Sequence, residues 1–520
     1  MSPSVFASPL PIARPDRRGA IVDRTTCAQW LAQLQLTDIR AAHQALHREL
    51  TALGQYLLPP AERLPIMESL RETVAYVQGE LAKRLSGRPL PLSEAEHAAF
   101  MTLIGVWAQM VLGYRHCLEA GTSAAERPLL VQRCLRYTGL QLTDYARMRH
   151  EYPAQLWSQL HGLYAFAEEQ GFSDARVMDG SESAGPSSCR AVYVESLLLC
   201  YANPFELSPK QIELAQRWLR HWSTAVPVLR APRGGNEKVP MLAVHLKGES
   251  GLQSLAHLTP SEATRYLDLS EISKNLRVKQ ILLQQGQKPE PLGLGRDCEQ
   301  PSCGQLLAQL HRYWCEGVPT RSFERRPSVN TAQVCFGLPA IWQIVAGKPF
   351  AQPGTKRRPA TPAHTALGPA QEETWSVKDE SVLGMRIERK GPGERLQVNR
   401  LLGLKLSNAG WRLLGVIRWL VVTRGGGLQA GLRTLPGAPQ PVAVRPAGPG
   451  AASSGEPFLE ALLLPEIPSL NLRGSLIVPK GIYQPQRLLE LARETETRKI
   501  KLELLVERGA DYERVGFSPA

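Results

Sequence analysis

A chain of 520 residues is too long for one ordinary core, and two or three cores are the sensible expectation. Hydrophobic residues make up 43% and charged residues 21%, the balance of a soluble globular protein that can build those cores. The formal net charge of +13 is spread along the chain, so it reads either as a solvated positive surface or as a preference for an anionic partner such as a nucleotide, a nucleic acid or acidic lipid.

Nine cysteines, an odd number with no Cys-x-x-Cys, argue against a disulfide framework and for buried thiols in a reducing cytosol. Residues 1–22 hold prolines and charges where a signal peptide needs an apolar centre, and they read as a disordered leader. The longest apolar run, 98–114, is interrupted by Thr102 and Gln109; it is short for a membrane span and reads as a buried helix. The expectation is a cytoplasmic protein with no membrane span.

In chain order, residues 25–225 carry helical periodicity throughout, with Leu46 and Leu50 on one face and Ile66, Leu70 and Val74 on another. Ser93 with Glu96, and Ser208 with Pro209 and Gln211, are helix-start patterns. Trp107, Trp157, Trp218 and Trp222 are candidate core or groove anchors, and no repeat of fixed length is present. Residues 226–318 are mixed: 241–246 alternates like a strand, while 267–284 and 305–314 look helical.

Residues 319–435 read as β. Alternating segments at 328–336, 375–378, 384–389, 401–406, 411–422 and 428–435 are separated by turn signals at 391–393, 407–410 and 425–427, the pattern of a closed antiparallel barrel. A Pro/Thr/Ala/Gly-rich insertion at 352–373, carrying Lys356, Arg357 and Arg358, reads as flexible, and 436–456 as a linker. The last stretch, 457–520, reads as a small α/β tail, with 486–493 helical between extended segments. The fold class is thus multidomain α + β: an all-α N-terminal region, then an antiparallel β-barrel with a small α/β tail.

Two short patterns carry the chemistry. Arg321-Ser322-Phe323-Glu324-Arg325 sets two arginines four residues apart just ahead of the first strand, and Asp379-Glu380-Ser381-Val382-Leu383-Gly384 is an Asp-x-Ser-x-x-Gly between two strands. At these residues the sequence resembles the PilZ family of bacterial cyclic di-GMP receptors, over about 320–435. The resemblance implies that Arg321, Arg325, Asp379, Ser381 and Gly384 hold the nucleotide, with Arg326 a further basic contact, and that the nucleotide can bind as a stacked pair. The motifs lie farther apart here than in the family, by about the length of the insertion, and Lys356, Arg357 and Arg358 are an alternative to the arginine pair. The physical logic stands beside the name: arginine forks onto guanine O6 and N7 or onto phosphate, a carboxylate accepts from guanine N–H groups, and glycine admits a close backbone approach or a positive φ.

Plainer readings exist for each residue. Asp379 and Ser381 can shape a turn, the arginines can be solvated charges, and Trp375, Trp411 and Trp419 are more often packing than base platforms. Cys298, Cys303, His311 and Cys315 could meet a zinc only with wider cysteine spacing than structural sites show. No Gly-x-Ser-x-Gly, His-Glu-x-x-His or P-loop occurs, so no enzyme, cofactor or metal is expected. The functional expectation is an effector that couples cyclic di-GMP to a protein partner controlling motility, pili, exopolysaccharide or biofilm. Its rivals are a ligand-free adaptor and a nucleic-acid binder, the latter disfavoured by the lack of a basic recognition helix.

Overall fold

A computed structural model describes residues 21–178, 185–233, 239–316, 325–353, 371–410, 412–447, 456–468, 472–493 and 496–520. The chain divides into two compact units, Met1–Arg88 with Leu92–Thr320, and Pro89–Pro91 with Arg321–Ala520.

The first unit is a helical assembly: α1 (Arg24–Gln33), α2 (Ile39–Gln55), α3 (Pro60–Leu85), α4 (Glu94–Glu119), α5 (Arg127–Arg147), α6 (Ala154–Glu169), α7 (Cys189–Tyr201) and α8 (Pro209–Trp222). Of the leader expected at 1–22, residues 1–20 lie outside the described residues; Ile21 is buried in the core and Asp23 already caps α1. Both expected start patterns close as reciprocal capping boxes: Ser93 N–H donates to Glu96 and Glu96 N–H to Ser93 Oγ, and Ser208 and Gln211 do the same.

The apolar run expected as a buried helix lies in the 26-residue α4, which by length and composition alone could cross a membrane. Its polar tips have partners within the helical core instead. Trp107 Nε1 donates to Asp144 of α5 at 2.8 Å and the Tyr114 hydroxyl to Glu68 of α3 at 2.7 Å.

Between the helices run a short hairpin, β1 (Val177–Met178) with β2 (Pro186–Ser187), and a sheet in the order β3 (Val228–Leu229), β6 (Thr264–Leu267), β4 (Leu242–His245), β5 (Gln253–Ser254). Helices α9 (Ser270–Gln284) and α10 (Ser302–Cys315) complete the unit where the mixed pattern placed them. Three of the four soft donors are otherwise engaged, and Cys315 is a buried free thiol. Cys298 and Cys303 form a disulfide, correcting the expectation of free thiols there, and buried His311 contacts Ser273 Oγ at 3.2 Å and Glu316 Oε1 at 3.0 Å.

The second unit holds two antiparallel barrels. In the first, β7 (Arg326–Pro327), β8 (Thr331–Phe336), β9 (Glu373–Ser381), β10 (Gly384–Arg389), β11 (Leu401–Leu406), β12 (Leu413–Val422) and β13 (Leu428–Leu435) run in the order β10-β13-β12-β11-β8-β9-β7, and β9 also pairs with β10. That pairing closes the ring and leaves β7 as an edge addition on β9. Alternation explains the closure: Ala332, Val334, Ile387, Leu402, Leu404 and Leu420 are buried, while outward positions on β10–β13 stay polar or pack on the second barrel. Most of the insertion expected at 352–373, Lys356, Arg357 and Arg358 included, lies outside the described residues, and β9 begins at Glu373. Helix α11 (Leu338–Ala346), between two positive-φ glycines, Gly337 and Gly347, was not foreseen.

The small α/β tail is corrected. Strands β14 (Gln440–Pro446), β15 (Leu459–Leu464), β16 (Ser475–Pro479), β17 (Leu488–Arg493), β18 (Glu496–Arg508) and β19 (Tyr512–Pro519) form a second closed barrel in the order β14-β15-β16-β19-β18-β17. Its first strand lies inside the stretch expected to be a linker. Pro441 is tolerated because it precedes the part of β14 that pairs with β17. Residues 486–493, expected helical, are extended: Leu489 and Leu491 alternate into the barrel core, and pairing to β14 and β18 overrides a good local helix former.

Candidate functional site

The Asp-x-Ser-x-x-Gly lies on the hairpin joining β9 to β10. Ser381 faces Gly384 and Asp379 faces Arg386 in the antiparallel register, with Val382 and Leu383 as the exposed turn. Residues directly opposite share a face of the sheet. Extending the register to β13 and β12 therefore lays out two rows on the outside of the barrel. One is Ser381, Gly384, Arg433 and Val416; the other is Asp379, Arg386, Gly431 and Trp419. A bulge beside Arg386 leaves Lys378 out of the ladder, where its ammonium meets Glu388 at 2.6 Å and holds that carboxyl below its usual range.

Asp379 is the hub. One carboxylate oxygen accepts from Arg325 Nη1 at 2.5 Å, and the other lies 2.8 Å from Arg386 Nε, an ion pair set off the line of a hydrogen bond. Arg325 and Asp379 are mostly shielded, with side-chain exposures of 20% and 16%, whereas Arg386 is 42% exposed and reaches solvent. Ser381 Oγ donates to the Gly384 carbonyl at 3.0 Å, the turn-shaping role, which leaves its lone pairs outward. Gly384 is required by space and not by a positive φ. A Cβ there would lie 2.8 Å from the Leu432 carbonyl and 3.6 Å from Arg325 Nη2.

The arginine pair is thus half located. Arg325 meets the hairpin, and Arg321 lies outside the described residues. Arg326 is on β7, exposed and opposite Glu380. Trp375 is fully buried, with Arg389 over its ring at 5.0 Å, so it packs the barrel; Trp411 lies outside the described residues. Trp419 lies across Gly431 on the outer face beside Arg386, half-buried and positioned to present a ring to a flat ligand.

Two arginines at the site stand in no motif. Arg386 and Arg433 reach it only through strand register, and Arg433 forms an ion pair with Glu507 on β18 of the second barrel. The one signal in the sequence for Arg386 is its place two residues after Gly384 on an alternating strand, which puts it on that glycine's face. Around Gly384, Arg325, Arg386 and Arg433 stand against Asp379 and Glu507, an excess of positive charge that reaches solvent at Arg386 and Arg433. Guanidinium forks there match phosphate oxygens and the guanine edge, and Asp379 can take guanine N–H donors.

By fold, this is a protein with a helical N-terminal region followed by antiparallel β-barrels, with an arginine–carboxylate cluster on the outer face of the first. Residues 25–232 match the family described as cyclic-di-GMP receptor FimW, N-terminal domain, and residues 442–520 match the FimW C-terminal beta-barrel domain. The chain is also similar to the protein named cyclic-di-GMP receptor FimW of Pseudomonas aeruginosa PAO1, at 22% identity over 538 aligned residues, covering 91% of this chain and 86% of the relative. The first barrel lies between the two matched segments.

Proposed function

We propose that this chain binds cyclic di-GMP on the outer face of its first barrel and acts as a non-enzymatic signalling effector. The observation that carries the reading is the Arg325–Asp379–Arg386 cluster beside Gly384, because it joins residues of both motifs in one place that Arg386 extends to solvent. A similar protein named as a receptor for the same nucleotide supports it. In this reading Arg325 and Arg386 fork onto phosphate or guanine, Asp379 accepts from a guanine edge, Ser381 adds a hydroxyl, and Trp419 offers a ring to a base. In this reading the barrel is PilZ-like, and Arg321 is a further nucleotide contact.

The output is capture or release of a protein partner in the cytoplasm, controlling motility, pili, exopolysaccharide or biofilm. A second reading keeps the fold and drops the ligand, making the barrel an adaptor. It draws on the fact that Asp379 already ion-pairs with both Arg325 and Arg386 without a nucleotide.

Calorimetric titration of the full chain with cyclic di-GMP separates the two. The receptor reading expects micromolar or tighter binding that Arg325→Ala abolishes while the circular dichroism spectrum is unchanged. A folded wild type that gives no heat would overturn it in favour of the adaptor.

A further inference from the structure

Arg433 stands directly across from Gly384 in the β10–β13 ladder, on the same outer face as Asp379 and Arg386. Opposed residues in such a ladder carry their Cβ positions about 5 Å apart. A Cβ at Gly384 would lie 3.6 Å from Arg325 Nη2, so Arg325 and Arg433 converge on that glycine from two sides, with Arg386 two residues along β10.

Arg433 is held elsewhere in the free protein. Its guanidinium pairs with Glu507 on β18, and Glu507 in turn faces Arg514 of β19 in register. Arg514 is nearly buried, bonded through Nε to Ser475 Oγ at 2.9 Å, and the like charge of Arg433 lies close enough to disfavour its cationic form beyond the effect of burial. Glu507 also lies near the Arg514 guanidinium, so it keeps a favourable charge neighbour if Arg433 leaves. The Arg433–Glu507 pair is partly solvated, with side-chain exposures of 37% and 19%, so exchanging it costs little.

We infer that Arg433 is a ligand-binding residue of the cyclic di-GMP site, and that binding draws it from Glu507 onto a ligand phosphate so that β18 of the second barrel registers occupancy. This rests on the receptor reading and goes beyond its motif residues. The first barrel supplies the contact, and the second supplies the competing carboxylate. Ligand and Glu507 compete for one guanidinium, so their effects oppose each other by linkage. A ligand that prefers the Arg433-released arrangement shifts the protein toward it.

The test is calorimetry of the full chain with cyclic di-GMP on four proteins: wild type, Arg433→Gln, Glu507→Gln and the double variant. Arg433→Gln is expected to weaken binding at least tenfold. Glu507→Gln is expected to tighten it about threefold or more, a gain that a misfolded variant cannot mimic. In the double variant the Glu507→Gln gain disappears. Hydrogen exchange in residues 496–508 should change on adding nucleotide to wild type and stay unchanged in Arg433→Gln. If wild type binds and Arg433→Gln binds equally well, the inference falls and the receptor reading stands; if folded wild type does not bind, both fall.

Discussion

The indole nitrogen of Trp342 on α11 donates to the carbonyl of Val442 on β14 at 2.9 Å, tying the helix between the two barrels to the second barrel's first strand. Around that bond Leu338 and Ile341 of α11, Leu401, Leu414 and Val416 of the first barrel, and Leu462, Leu464 and Ile477 of the second form one apolar cluster. The barrels therefore share a core, and the outer face of β12 is a packing surface at Val416 and carries half-buried Trp419 one row away. Trp342→Ala removes a large buried side chain and strands the Val442 carbonyl. A loss of about 3–5 kcal/mol is expected in chemical denaturation, and Trp342→Phe should recover most of it.

Gly384 is a spacing residue. In Gly384→Ala the new methyl would lie 2.8 Å from the Leu432 carbonyl, and backbone atoms cannot rotate away as a side chain can. The variant should lose about 1–3 kcal/mol of stability from overpacking. It should also bind cyclic di-GMP at least tenfold more weakly in calorimetry. Equal affinity would mean the ligand does not sit against Gly384.

The basic residues should divide by position. Arg386 lies against Asp379, while Arg326 is exposed on the edge strand opposite Glu380. Removing a charge-assisted hydrogen bond costs about 1.5–3 kcal/mol, so Arg386→Ala should weaken nucleotide binding by tenfold or more. Arg326→Ala should change it less than threefold. Fluorescence titration of the two variants under equal salt would show the order, and the reverse order would move the site to the edge strand.

Three buried histidines of the helical unit, His116, His150 and His161, are each pushed down to about 4, chiefly by burial of the charged form. Unfolded, each regains an ordinary value of about 6.5. Between those values the unfolded chain binds more protons than the folded one, so acidification favours unfolding. The stability these neutral rings contribute is full above about pH 6.5 and is lost as pH falls toward 4, at about 1 kcal/mol per pH unit for each ring. Urea midpoints measured from pH 7 to pH 5 should fall steadily. His161→Gln, which can keep one of the bonds to the Tyr193 hydroxyl and the Ser250 carbonyl, should flatten that slope.

Much of the site was legible because its decisive part is local. Asp379, Ser381 and Gly384 fall within six residues on one hairpin, and period-two alternation is enough to put them on one face. The capping boxes at Ser93 and Ser208 were readable for the same reason, since donor and acceptor lie three residues apart. Helix α11 escaped notice because a nine-residue apolar run between two glycines fits a buried strand as well as a helix. The tail misled because Gln-Arg-Leu-Leu-Glu-Leu-Ala-Arg is a good helix former whose burial alternates only once β14 and β18 flank it.

The sequence by itself determined an all-α first region, an antiparallel barrel after it, and the hairpin that carries a carboxylate, a hydroxyl and a side-chain-free position in order. These follow from periodicity, capping and turn chemistry, which act over a few residues. Only the tertiary structure decided that Arg325 meets Asp379 across 54 residues, that Arg386 and Arg433 share the outer face of that hairpin, and that the last strands close a second barrel whose Glu507 holds Arg433. Strand register is set by which faces can be buried together. That is a property of paired segments, and no single segment carries it.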